Sequence, residues 1–132
     1  MIILKTLEEL HLMRESAQLV SKILGMIAKE IKPGVTTLYL DKLAHDFIKD
    51  HGGYPAFLGM YGFPNSLCIS PNEEVVHGIP NDKPLKEGDV LSVDCGVYMN
   101  DFYGDHAYSF EVVEVAPETK KLLKITKESL YK

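Results

Sequence analysis

Cysteine is scarce in this chain: Cys68 and Cys95 are the only two among 132 residues, and they do not form a C-x-x-C pair. That excludes a disulfide-stapled small domain and a thiolate zinc ribbon, and leaves two reduced thiols in apolar, strand-like settings. Basic residues are outnumbered, with 14 Lys and Arg against 19 Asp and Glu and a formal charge of −5. Direct nucleic-acid binding and docking on an anionic membrane both call for a basic face, so neither is expected. Long apolar runs are missing too. Met1-Ile2-Ile3-Leu4-Lys5 is too short for a signal-peptide core, Glu8 and Glu9 follow at once, and no stretch approaches the ~20 apolar residues of a membrane span. Reduced thiols without a leader or a span point to the cytoplasm. There is also no internal repeat, low-complexity tract or linker. With 45% hydrophobic residues, the chain is expected to form one globular domain with a real core.

Helices are signalled at three places. Thr6-Leu7-Glu8-Glu9 is a capping box, in which the threonine oxygen takes the amide three residues on and Glu9 reaches back. Leu10, Met13, Ala17, Val20, Leu24, Ile27 and Ile31 then recur every three or four residues, predicting an amphipathic helix of about 25 residues that ends at Lys32-Pro33-Gly34. A second helix is expected after Thr36 or Thr37, with Leu40, Leu43, Ala44, Phe47 and Ile48 on its buried face and Gly52-Gly53 as its stop. A third begins at Ala116-Pro117-Glu118, with Leu122, Leu123, Ile125 and Leu130 spaced for burial. It is still amphipathic at Tyr131-Lys132, which suggests a piece of a longer protein. Leu67-Cys68-Ile69 and Glu74-Val75-Val76-His77 read as short strands around Ser70-Pro71-Asn72, and Pro80 to Gly88 as a polar loop. The whole is α/β (α+β), an antiparallel sheet with flanking helices.

The chemistry concentrates between Leu91 and Phe110, in LSVDCGVYMNDFYGDHAYSF. Asp89 to Val97 and Phe102 to Val115 fit two antiparallel strands joined near Tyr98-Met99-Asn100-Asp101. A hairpin centred between Met99 and Asn100 places Asp94 directly opposite Asp105, with Cβ atoms roughly 5 Å apart on one face. Carboxylates that close repel unless they share a proton or bind a cation, and a hard or borderline divalent ion is the natural partner. Two independent, solvated aspartates on a wet hairpin are the alternative. Among the histidines, His11, His45 and His51 fall on the predicted helices or at an end and read as ordinary surface or boundary residues. His106 is expected to alternate away from Asp105, which makes it a poor partner for the same cation. His77 is different: Val75-Val76-His77-Gly78-Ile79-Pro80 delivers it to a Gly-Ile-Pro turn, where an imidazole can reach a polarised carbonyl.

These segments do not stand alone. FPNSLCISPNEEVVHGIP (Phe63 to Pro80), followed by GDVLSVDCGVYMNDFYGD (Gly88 to Asp105), closely resembles methionine aminopeptidase of the bacterial, type I kind, in order from the first helix to the end of the chain. By that resemblance residues 1–132 form the first half of a pita-bread domain, two pseudo-symmetric α/β halves with a two-metal site between them. Asp94 and Asp105 match the first two metal-binding aspartates. His77 matches the histidine that contacts substrate and stabilises the tetrahedral intermediate. Met60, Phe63 and Cys68 fall where the family lines its methionine pocket; tyrosines often stand in the family where this chain has Met60 and Phe63, and the pocket stays apolar.

The resemblance also implies two divalent ions (cobalt, manganese, iron or zinc) and metal-assisted removal of the N-terminal methionine from nascent polypeptides, with ribosome association among the expected partners. The family completes its site with a histidine and two glutamates, one of them the general base, from a second half that these residues do not include. The chain by itself is therefore expected to be inactive and prone to self-association, the complete enzyme to be a monomer. A catalytically inactive binding module on the same fold is the alternative, disfavoured because it has no need of two paired carboxylates. A proline-specific relative fits less well, since NEEVVHGIP looks like the methionine branch.

Overall fold

Thr6 opens the first helix in the way its neighbours dictate. In the computed structural model, which describes all of residues 1–132, its hydroxyl accepts the Glu9 amide at 3.2 Å and its own amide donates to the Glu9 carboxylate at 2.7 Å. Helix α1 runs Leu7–Glu30 and buries Ser16, Leu19, Val20, Ile23, Leu24 and Ile27. This stripe is rotated from the expected one: Ala17 is exposed, Leu10 largely so, and Leu19 and Ile23 take the core positions. The cause is where the helix lands. The Ser16 hydroxyl donates to the carbonyls of Met99 (2.9 Å) and Phe102 (3.1 Å) at the end of a hairpin, and a Cβ on Gly104 would sit 2.6 Å from the Ser16 backbone. Only glycine admits that approach.

Helix α2 (Thr37–Asp50) is capped by Thr36, whose hydroxyl accepts the Tyr39 amide, and buries Leu40, Ala44 and Ile48 as expected, with Leu43 and Phe47 half-buried. Gly52, at φ 77°, turns the chain out of it. A two-residue strand β1 (Tyr54–Pro55) follows, then a short 3₁₀ turn at Met60–Gly62. Strand β2 is Leu67–Pro71, β3 Val90–Met99 and β4 Phe102–Glu111. All pairings are antiparallel. The central strand β3 carries β4 along one edge, and β1 and β2 in line along the other.

Alternation then sorts the sheet. Leu67, Ile69, Leu91, Val93, Cys95 and Val97 face α1 and α2 and form the core with the helix residues. Cys68, Ser70, Ser92, Asp94, Gly96, Asp105, Ala107 and Ser109 share the other face, so the aspartates lie on the face that α1 and α2 leave open.

Three expectations need correction. The segment Glu74–His77 is not a strand: it is an exposed loop in which Val76 adopts φ 46°. The hairpin is not centred between Met99 and Asn100. Met99 pairs with Phe102, and Asn100 and Asp101 form a two-residue turn with φ 55° and 64°. Positive φ at both central residues is the requirement of the tight hairpin turn that matches strand twist, and Asn and Asp tolerate it. The third helix, α3 (Pro117–Leu130), buries none of its residues, and Leu122, Ile125 and Leu130 stand exposed.

Candidate metal and substrate site

The turn geometry fixes the relation of the two aspartates. Asp94 lies opposite Ala107 and Asp105 opposite Gly96, not opposite each other. The register differs from the expected one by two positions, and because side chains alternate with period two, both carboxylates keep the same face. They are diagonal neighbours, a relation that spans roughly 7–8 Å between Cα atoms and that carboxylate side chains can bridge. The electrostatics follow. Burial, together with the charge and hydrogen bonding of Asp105, pushes the Asp94 carboxyl up to about 6, against the opposing pull of the Cys95 backbone and the charge of His77. Its Oδ1 is buried and finds no hydrogen-bond partner in the chain. A buried, unpartnered carboxylate oxygen beside a second carboxylate is a poor resting place for two negative charges unless a cation or a proton joins them. The pair therefore fits a divalent ion. Nowhere in the chain do three His, Cys, Asp or Glu side chains cluster as a metal could require.

Around the aspartates stands a mixed wall. Cys68, paired with Asp94 across β2 and β3, is buried. Burial first, then the charges of Asp94 and Asp105, pushes its thiol up to about 11, so it is a neutral surface rather than a thiolate at neutral pH. Cys95 points to the core instead, and burial pushes it up to about 12. Phe63 is half-buried at the end of the 3₁₀ turn, while Met60 is 45% exposed. His77 sits exposed on the loop, close enough for its charge to act on Asp94.

The other histidines have local partners: His45 Nδ1 with the Ser66 hydroxyl at 2.8 Å, His51 stacked on Phe47, and His11 with Glu15. His106, on the opposite face, borders a recess lined by Leu24, Gly25, Ala28, Tyr108 and Phe110.

Two contributors escaped the sequence. Phe57 lies over Gly96, where a Cβ would come 2.6 Å from its ring, so the glycine makes room for an aromatic beside Asp105. A glycine inside a strand pattern is the one signal of such an approach. Asp41 on α2 is buried and accepts hydrogen bonds from the amides of Ser66 (2.9 Å) and Leu67 (2.8 Å) and from Asn65 Nδ2 (2.8 Å). It fixes the start of β2, and so the height of Cys68 against Asp94.

Known proteins share this fold. The sequence pattern of metallopeptidase family M24 matches residues 11–132. The methionine aminopeptidase of Clostridium perfringens is 46% identical and methionine aminopeptidase 1 of Bacillus subtilis 47% identical, each over 132 residues that make up 100% of this chain and 53% of the relative. The chain thus spans about half the length of the curated relatives it matches. The crystal structure of methionine aminopeptidase from Rickettsia prowazekii superimposes with a TM-score of 0.97 at 41% identity, over 100% of this chain and 53% of that one. The prolidase of Pyrococcus furiosus, 20% identical with a TM-score of 0.78 over 96% of this chain and 36% of its own, shares the fold alone. The α/β architecture is that of the pita-bread enzymes, as the resemblance implied. By sequence over residues 11–132 and by its helix-backed antiparallel sheet, the chain belongs to metallopeptidase family M24.

Proposed function

We propose that residues 1–132 supply the first two metal ligands and the substrate-contacting histidine of a methionine aminopeptidase, which removes the N-terminal methionine of nascent polypeptides. Asp94 and Asp105 would hold two divalent ions, drawn from cobalt, manganese, iron and zinc. Such ions, when bound, polarise the scissile carbonyl and lower the pKa of the attacking water. His77, on its exposed loop, would hydrogen-bond the carbonyl oxygen as charge develops there. Cys68, Phe63 and Met60 would offer the methionine side chain an apolar wall. The buried, unpartnered Oδ1 of Asp94 beside Asp105 carries this reading. Two carboxylates fall short of the ligand number that two divalent ions take. With no cluster of three His, Cys, Asp or Glu side chains that could hold a metal, the chain alone should bind metal weakly and leave Met-Ala peptides intact. The family's remaining histidine and glutamates, one of them the general base, would come from sequence beyond these residues.

Manganese titration calorimetry tests the metal step. Wild type should give weak binding heat that Asp94→Asn removes. Identical traces for the two proteins would refute the assignment, and metal-dependent Met-Ala hydrolysis abolished by Asp105→Ala would refute the expected inactivity. A pita-bread binding module without catalytic metals is the outcome to which identical traces would point.

A further inference from the structure

His77 has no hydrogen bond through its own imidazole to hold it in place, yet it lies close enough to Asp94 for its charge to act there. The loop that carries it, residues 72–79, is tied down at both ends. At one end Asn72 exchanges bonds with the neighbouring strand: its amide donates to the Val90 carbonyl (2.8 Å), its Oδ1 accepts the Val90 amide (3.0 Å), and its Nδ2 donates to Asp89 (3.1 Å). At the other, Asn81 and Thr37 bond reciprocally, the Asn81 amide to the Thr37 hydroxyl at 2.8 Å and that hydroxyl to the Asn81 carbonyl at 3.2 Å.

Between those ties the loop stands in solvent, with Val75, Val76 and Ile79 all more than half exposed. The Glu74 amide turns back to the carbonyl of Pro71, the last residue of β2 (3.1 Å), and next to His77 it is Gly78 that returns to the body of that strand. Gly78 donates its amide to the Ser70 hydroxyl (3.0 Å) and accepts the Ile69 amide (2.9 Å). Ser70 is itself buried, on the face that carries Asp94, and a Cβ on Gly78 would collide with the Ile69 carbonyl. Just before His77, Val76 holds φ 46°, a left-handed conformation that a β-branched residue enters only under strain. Exposed and without packing of its own, Val76 gains nothing visible from that strain. Its neighbours impose it: the His77 amide turns back to the Val75 carbonyl (2.7 Å) while Gly78 is clamped.

We infer that Ser70 and Gly78 are positioning residues, a hydroxyl-to-amide clamp that draws the loop onto β2 and holds His77 over the paired aspartates. The inference rests on the proposed role of His77 but concerns where the residue is held, and it can be tested without metal. In Ser70→Ala the Gly78 amide loses its acceptor, a loss of about one hydrogen bond, so its hydrogen exchange should quicken about tenfold. NMR order parameters should fall at Val76, His77 and the imidazole, with the exchange of the core amide of Val93 and the urea midpoint held near wild type. Gly78→Ala, which forces the loop off Ile69, should release His77 in the same way and serves if the first variant folds poorly.

Unchanged order at His77 in a folded variant of either kind would overturn the clamp. A separate arm adds substoichiometric manganese and follows paramagnetic broadening of the five histidines. His77 should broaden most in wild type and markedly less in Ser70→Ala. Absence of selective broadening in wild type, with the exchange result intact, would overturn the metal reading and leave the clamp standing.

Discussion

Replacing Asp94 with asparagine should make the metal-free chain more stable at neutral pH, although the substitution strikes at the centre of the site. The carboxyl titrates near 6 in the folded chain against an ordinary value of 3.8, raised by burial and by Asp105. A raised folded-state value stabilises the fold below the unfolded value and loses that contribution as pH climbs through 6. Two units correspond to about 3 kcal/mol, and because the group is only partly buried, solvent screening reduces this to on the order of 1–2 kcal/mol. Asparagine removes the charge, keeps the shape, and can donate to Asp105. Asp94→Asn should therefore gain about 1–2 kcal/mol in urea denaturation at pH 7.5 in the presence of chelator, and roughly two-thirds of the gap should close by pH 4.5, as wild type takes up its proton. Manganese at tenfold its dissociation constant should bring the two proteins about level, adding about 1.4 kcal/mol to wild type alone. A variant less stable than wild type at pH 7.5 without metal, or a gap that does not change with pH, would refute the argument.

Two further perturbations probe the frame around the site. Asp41→Ala strips the buried Ser66 and Leu67 amides of their acceptor and should cost about 3–5 kcal/mol by urea denaturation, more than Asp41→Asn, which keeps one carbonyl oxygen; equal losses would show that the amides are not what Asp41 serves. The open sheet face and the exposed Leu122, Ile125 and Leu130 of α3 should make the chain self-associate in sedimentation experiments, and a monomer at all concentrations would show that this apolar surface is too dispersed to drive contact.

Much of this molecule follows from local rules that residues obey wherever they are placed. Thr6 and Glu9 cap α1, and Thr36 caps α2, because side-chain oxygens reach amides two or three positions on regardless of what lies further away. Period-two alternation likewise put Asp94 and Asp105 on one face and His106 on the other, a result that survived an error of two in the register. The match of residues Phe63 to Asp105 to a known pattern carried the family.

Tertiary structure decided what depends on partners distant in sequence. The face of α1 turned toward Leu19 and Ile23 because the helix docks on Met99, Phe102 and Gly104, more than eighty residues away. Glu74 to His77 reads like a short strand around Val75 and Val76, but its amides turn back locally, Glu74 to Pro71 and His77 to Val75, and with Gly78 held at Ser70 the segment is a loop. The rise of the Asp94 carboxyl needed both burial and the company of Asp105, neither of which exists in an extended chain. Local sequence sets which conformations and faces are cheap. Only the folded contacts set which charges are deprived of water and which backbone groups find their partners, and those two decisions make the site.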